Sequence, residues 1–212
     1  MTRLRHWPSF PAQLPPFDPG AVPSAPHVLF RAWLEEAGEQ VLAPHAVTLS
    51  TVDAEGAPDA RVVILKEVDE SGFFVASSAR SPKGRQLAVN PRAALTFFWP
   101  ALGRQVRVRG SVSACGAETS AADFRDRPPA SRAEALIGRQ SEVLTDPGEL
   151  VRAAEDADRQ VQQDPDLVPD SWTRYVVEPG TVEFWQADHD RRHVRLRYRR
   201  AGVGWTTERL WP

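Results

Sequence analysis

The feature that most constrains this chain is a series of strand-like segments between residues 46 and 114, separated by turns. Ala46–Val52 ends at Asp53-Ala54-Glu55-Gly56, and Ala60–Val68 is a nearly continuous β-branched run that stops at Asp69-Glu70-Ser71-Gly72. Phe73–Ser78, Ala93–Trp99 and Gln105–Ala114 complete the series, with Lys83–Asn90 reading as a short helix inside it. β-Branched and aromatic side chains suit a pleated backbone, and Asp/Gly turns reverse it. Turns at this regular spacing predict an antiparallel meander that closes into a barrel.

The flanks differ in character. Residues 1–26 hold seven of the 19 prolines and predict an arm without regular structure. Phe30, Trp33, Leu34 and Ala37 recur at helical spacing, with Gly38 as a stop. From residue 117 to 163 Ala, Glu, Arg and Asp dominate, predicting two or three helices broken at Pro128-Pro129 and Pro147-Gly148. Strands return at Arg174–Val177, Thr181–Gln186, His193–Arg199 and Trp205–Leu210. The helical stretch lies between strands of one sheet system, so the expectation is a Pro-rich arm (1–26) and a single domain (27–212). Its class is α+β, mainly antiparallel β, with flanking helices.

Composition excludes several functions. A formal charge of −2 gives no global basic field for nucleic acid or an acidic membrane. Cys115 is the sole cysteine, which rules out an intramolecular disulfide and a cysteine metal cluster. No apolar run approaches the roughly 20 residues that span a bilayer, and Met1 to Gly20 do not read as a signal peptide, so a cytoplasmic location is expected.

Four constellations can carry chemistry. In Arg61-Val62-Val63-Ile64-Leu65-Lys66, Val62, Ile64 and Lys66 share one strand face and Arg61, Val63 and Leu65 the other. Charges at the two ends of so apolar a strand suit a phosphate, or else snorkel to solvent. Ser81-Pro82-Lys83-Gly84 opens a helix, where free N–H groups favour anions. Arg127 offers a bidentate grip on phosphate and Ser131 a hydroxyl, with Gln140 and Ser141 at the end of an apparent helix. Finally, if residues 191–197 are extended, Arg191, His193, Arg195 and Arg197 point to one face, where they repel unless an anion sits among them. The alternative is a solvated outer face; the nearby Trp185 favours a ligand, since an indole packs on a planar ring. A metal is not expected, because His189 and His193 lie on non-helical chain.

Taken in order, these pieces resemble the pyridoxamine 5′-phosphate oxidase family from about Leu29 to Pro212. The strings are Arg61 to Lys66, Ser81-Pro-Lys-Gly84 with Asn90-Pro91, Arg104-Gln105-Val106, Arg127-Pro128 with Ser131, Gln140-Ser141, Glu183-Phe-Trp-Gln186 and Arg209-Leu-Trp-Pro212. The resemblance implies an FMN-binding split barrel acting as a homodimer with each flavin at the subunit interface. It implies FMN contacts at Arg61, Val62, Val63, Ile64, Leu65, Lys66, Ala76, Ser77, Lys83, Gln105, Gln140, Ser141, Trp185 and Arg195. Substrate contacts map to Lys66, Arg127 and Ser131, with Asp123 at a further substrate position. Arg191 and His193 lie near the reacting ring, as catalytic residues that position substrate. The implied reaction is hydride transfer from pyridoxamine or pyridoxine 5′-phosphate to the flavin, with O2 as acceptor and hydrogen peroxide as product.

The chain also departs from the family pattern. Asp123 stands where the family usually has a tyrosine on the substrate phosphate, so either it turns away or the substrate lacks that phosphate. Pro82 replaces a frequent arginine, Ala76 an aromatic or polar residue, Val194 an aspartate, and Thr173-Arg174 a Gly-Gly pair. Two alternatives therefore stand beside the leading one: an oxidase of the same fold acting on another reduced heterocycle, as in phenazine biosynthesis, and a non-catalytic flavin- or pyridoxal-phosphate-binding protein.

Overall fold

A computed structural model describes residues 4–212. Its element order is α1 (Pro26–Gly38), β1 (Ala46–Val52), β2 (Pro58–Val68), β3 (Phe73–Ser78), α2 (Pro82–Val89), β4 (Arg92–Trp99), β5 (Arg104–Ala114), α3 (Ala117–Arg125), α4 (Pro129–Ile137), α5 (Pro147–Gln163), β6 (Trp172–Gln186), β7 (Val194–Ala201) and β8 (Gly204–Arg209). The strands run β3-β2-β1-β4-β5-β6-β7-β8, all neighbours antiparallel, and β3 also pairs with β6. That extra pairing closes the first six into a barrel, as the meander predicted, with β2 and β5 on opposite walls.

Strand β6 makes closure possible. Its first half, Trp172–Val177, pairs with β3, and its second half, Thr181–Gln186, pairs with β7. The sequence suggested two separate strands here. They form one continuous strand because β5 pairs along it from Tyr175 to Gln186. The register slips between Arg109, opposite Thr181, and Gly110, opposite Pro179, leaving Gly180 as the extra residue. There a Cβ on Gly110 would lie 1.9 Å from the Glu178 carbonyl oxygen, so only glycine fits the bulge.

Alternation fills the barrel. Leu49, Leu95, Phe97, Val106, Val108, Val182 and Phe184 point inward and are buried. Helix α1 closes one end: the Phe30 ring lies 4.9 Å from Phe73 and 4.8 Å from Phe97, and Trp33 meets Phe184 edge-on at 5.1 Å. Each such aromatic, once fully buried, contributes about 1.5–3 kcal/mol. The Pro-rich arm has one short 3-10 turn at Leu4–His6 and is otherwise irregular, as expected, yet it is pinned. Phe17 packs edge-on against Trp33, the buried Tyr198 hydroxyl donates to the Pro23 carbonyl at 2.8 Å, and Arg104 reaches the Pro16 carbonyl.

The helical stretch resolves into three helices, α3 to α5, inserted between β5 and β6. Helix α4 ends at Ile137, with Gly138 left-handed (φ 70°), so Gln140 and Ser141 lie in the following loop rather than on the helix. Residues 191–197 are not one extended segment, contrary to expectation: β7 begins only at Val194, and Arg191 sits in a turn at φ 65°. Asp188 organises that turn, its carboxylate accepting from the amides of Asp190 and Arg192. Among the described residues no helix is long and apolar enough to cross a membrane.

Candidate functional site

A cleft of about 500 Å³ opens on the outer side of β2 and β3 and is bounded by α2, α4 and the loop after α4. Strand periodicity sends Val62, Ile64 and Lys66 outward into it, and Val63 contributes from the same strand. Ala76, Ser77 and Ser78 enter from β3, Lys83 from α2, Arg127 from the turn before α4, Gln140 from the loop, and Trp172 from the start of β6. Residues that sequence reading drew from four separate strings are thus brought together.

Lys83 is the buried cation of this cleft, at 7% exposure. Ser81 caps α2 by accepting from the Gly84 amide, and Pro82 occupies the first turn, where a missing N–H loses nothing. The cap turns Lys83 inward, where its Nζ donates to Gln140 Oε1 at 2.6 Å and to Ser81 Oγ at 3.2 Å. Among the described residues no carboxylate lies within ion-pair reach of it. Burial, then the nearby Arg61 charge, pulls its pKa below the ordinary lysine value. A buried, uncompensated ammonium calls for an anion.

The other end of the cleft is differently balanced. The Arg127 guanidinium lies 4.2 Å over the Trp172 ring and 3.6 Å from Glu134 Oε2, while its Nη1 is buried without a partner. Burial lowers the Arg127 pKa, against Glu134 and Asp123, but a guanidinium stays charged at any ordinary pH. Asp123, from α3, does not turn away. Its carboxylate accepts from Trp172 Nε1 at 2.9 Å, lies 3.7 Å from Lys66 Nζ, and is 7% exposed.

A second cluster lies across the barrel. Gln105 of β5, Trp185 of β6 and Arg195 of β7 are cross-strand neighbours on the outer wall. The His193 ring stands 4.8 Å from that of Trp185, and Phe10 of the arm lies on Trp185 at 5.7 Å. His193 Nδ1 accepts from the Asp188 amide at 3.0 Å, so the neutral imidazole carries its proton on Nε2. Arg191 is exposed and lies off the strand. The expected mutual repulsion along this face is relieved within the chain: Glu183 binds Arg195 at 2.8 Å, and Glu208 pairs with Arg197. No external anion is needed for that.

Four residues fall outside both groups. Arg61 is held beneath α2 by Asp59, Thr51 and Gln86, and the Leu65 side chain lies in the core. Ser131 sits in the first turn of α4, its amide bonded to the Pro128 carbonyl, and Ser141 follows Gln140 at φ 69° without lining the cleft. Sequence reading missed Glu134 and Trp172. Glu134 looks like an ordinary helix-surface acid, and only the fold turns it toward Arg127. The Ser171-Trp172 pair at the head of a strand was the available signal for the indole.

Comparison with known proteins bears on this arrangement. Residues 34–161 match the family model described as pyridoxamine 5′-phosphate oxidase, and residues 172–212 match that of the pyridoxine 5′-phosphate oxidase C-terminal dimerisation region. A pyridoxine/pyridoxamine 5′-phosphate oxidase of Pseudomonas paraeruginosa is 44% identical over 193 residues, covering 90% of each chain. One from Thermosynechococcus vestitus is 44% identical over 184 residues, covering 86% of this chain and 87% of its own. Among solved structures, PhzG from Burkholderia lata, in complex with tetrahydrophenazine-1-carboxylic acid, superposes with a TM-score of 0.87 at 29% identity over 97% of this chain and all of its own. An FMN-binding protein from Nostoc punctiforme shares the fold at a TM-score of 0.74 and 17% identity, covering 90% of this chain and 100% of its own.

Proposed function

The chain belongs to the pyridoxamine 5′-phosphate oxidase family, and on that footing we propose that it is an FMN-dependent oxidase converting pyridoxamine or pyridoxine 5′-phosphate to pyridoxal 5′-phosphate, with O2 as acceptor and hydrogen peroxide as product. The observation that carries the flavin reading is Lys83: a buried ammonium without a carboxylate partner among the described residues, at the capped start of a helix, in a cleft of the size small ligands occupy. A flavin phosphate fits there, with Ser77, Lys83 and Gln140 around it and the apolar Val62, Val63 and Ile64 beside the ring. The chemistry a bound FMN would supply is that of a hydride acceptor reoxidised by oxygen.

The protein's share is orientation and charge. Lys66 and Arg127 hold the far end of the substrate. Because β2 and β5 are opposite walls, one chain cannot bring the cleft and the Gln105-Trp185-Arg195 wall to the same flavin. A symmetric dimer can, by setting the cleft of one protomer against that wall of its partner. The match of residues 172–212 to a dimerisation region supports this, as do the exposed apolar Val62 (66%) and Ile64 (42%) on the outer face of β2. In that arrangement the wall bearing Trp185 would supply an aromatic face to help hold the flavin, and His193 would offer Nε2–H as a donor for positioning substrate. Incubating the flavin-loaded protein with pyridoxamine 5′-phosphate in air should give the aldehyde and peroxide; absence of turnover would refute the substrate.

One observation favours a second reading, an oxidase of another reduced heterocycle. Asp123 sits on Lys66 where a substrate phosphate would lie. A panel of reduced ring compounds separates the two readings by which one reduces the flavin fastest.

A further inference from the structure

We infer that Asp123 and Glu134 are specificity-determining residues that cancel most of this pocket's pull on a substrate phosphate, so that the ring carries the substrate affinity and ring compounds with an uncharged inward end are accepted as well. This deepens the flavin-oxidase reading and rests on it.

The two cations that a phosphate would need are already compensated. Lys66 Nζ lies 3.7 Å from Asp123 Oδ1, and Arg127 Nη2 lies 3.6 Å from Glu134 Oε2. Two positive charges face two negative ones, so the pocket end carries no net attraction for a dianion, and an entering phosphate meets two carboxylates. Asp123 is not free to leave. Its other oxygen accepts from Trp172 Nε1 at 2.9 Å, and swinging it out would orphan a part-buried indole donor. Trp172 is itself fixed, packed edge-on against Phe124 at 5.4 Å and stacked under Arg127 at 4.2 Å. Glu134 is 71% exposed at its side chain and so exerts the weaker, more screened influence.

What remains unsatisfied defines the ligand. Arg127 Nη1 is buried with no acceptor among the described residues. One vacant donor is met by one oxygen, and a hydroxyl or carbonyl supplies it as well as a phosphate does. Lys83, at the flavin end, has no carboxylate within ion-pair reach among the described residues and keeps its demand for an anion. Charge therefore separates the two ends of one cleft: an open demand for an anion at the cofactor end, and a nearly balanced set of charges at the substrate end.

The test uses the FMN-loaded protein and two ligands that cannot be oxidised at the ring substituent, 4-deoxypyridoxine and its 5′-phosphate, titrated by flavin fluorescence. In the unaltered protein the phosphate should improve Kd by less than about tenfold, and Asp123→Asn should raise that preference by at least about fivefold. Glu134→Gln should move it the same way by less. Asparagine keeps an acceptor for Trp172, and an unchanged Kd for FMN checks that the variant is intact. A preference of about tenfold or more in the unaltered protein, or a rise below about fivefold in Asp123→Asn, overturns the inference. Failure to bind FMN at all would instead sink the flavin reading. The charge claim would then be read on the flavin-free chain with inorganic phosphate, where Asp123→Asn must bind more tightly than the unaltered protein, and equal binding overturns it.

Discussion

Lys83 Nζ donates to Gln140 Oε1 at 2.6 Å, tying the first turn of α2 to the loop that follows α4. Lys83 precedes the inserted helices in the chain and Gln140 lies between two of them, and their contact closes the phosphate end of the cleft. Replacing Lys83 by methionine removes the buried ammonium there. FMN affinity should fall about 10–100-fold, as for loss of a charge-assisted hydrogen bond, while Gln140→Ala should cost less. Titration of the flavin-free protein with FMN checks both.

The same lysine gives a pH dependence. Burial lowers its pKa below 10.5, and a phosphate pairs with its protonated form. FMN affinity should therefore be full at neutral pH and decline as pH rises through a value below 10.5, with Lys83→Arg abolishing the decline. Flavin-free stability should run the other way. Between the lowered pKa and 10.5 the unfolded chain binds more protons than the folded one, so stability rises with pH across that window. Chemical denaturation at a series of pH values reads it.

An interfacial site predicts complementation. Lys83→Met damages the cleft and Trp185→Ala the opposite wall, so each homodimer has two defective sites. Mixed dimers have one intact site, and full subunit exchange should restore roughly a quarter of normal turnover. No recovery after exchange would place both residues at a site within one chain.

Arg104 tests how the barrel end is held. Its guanidinium is 3% exposed, bonded to Glu36 at 2.5 Å and Gln186 at 2.9 Å, and 4.3 Å over Trp33. Arg104→Ala leaves Gln186 and the Pro16 carbonyl short of a donor. Because Glu36 is partly exposed, the loss should be about 2–3 kcal/mol, or a fall in Tm on the order of 4–12 °C.

Much of this was legible in the sequence because strands announce themselves locally. The β-branched run at Ala60–Val68 and the Asp/Gly turns gave the meander, and alternation put Val62, Ile64 and Lys66 on one face, where the cleft is. Ser81-Pro82 read correctly as a helix start because capping is a four-residue matter. Charge balance was not legible. Glu183 and Glu208 neutralise Arg195 and Arg197 from neighbouring strands, and Asp123 reaches Lys66 from another element altogether. Such contacts are set by closure of the barrel and by docking of α3, which no local pattern encodes. The turn at Asp188 was missed for a related reason: an arginine-rich string is compatible with a strand until a carboxylate caps its amides.

The most direct measurement is the visible spectrum of the purified protein loaded with FMN, recorded before and after anaerobic addition of pyridoxamine 5′-phosphate and then of air. The account predicts an oxidised-flavin spectrum that persists through gel filtration, bleaches with the reduced substrate and returns with oxygen as peroxide appears. A protein that loses FMN on filtration, or keeps it and is bleached by no reduced heterocycle, would contradict it.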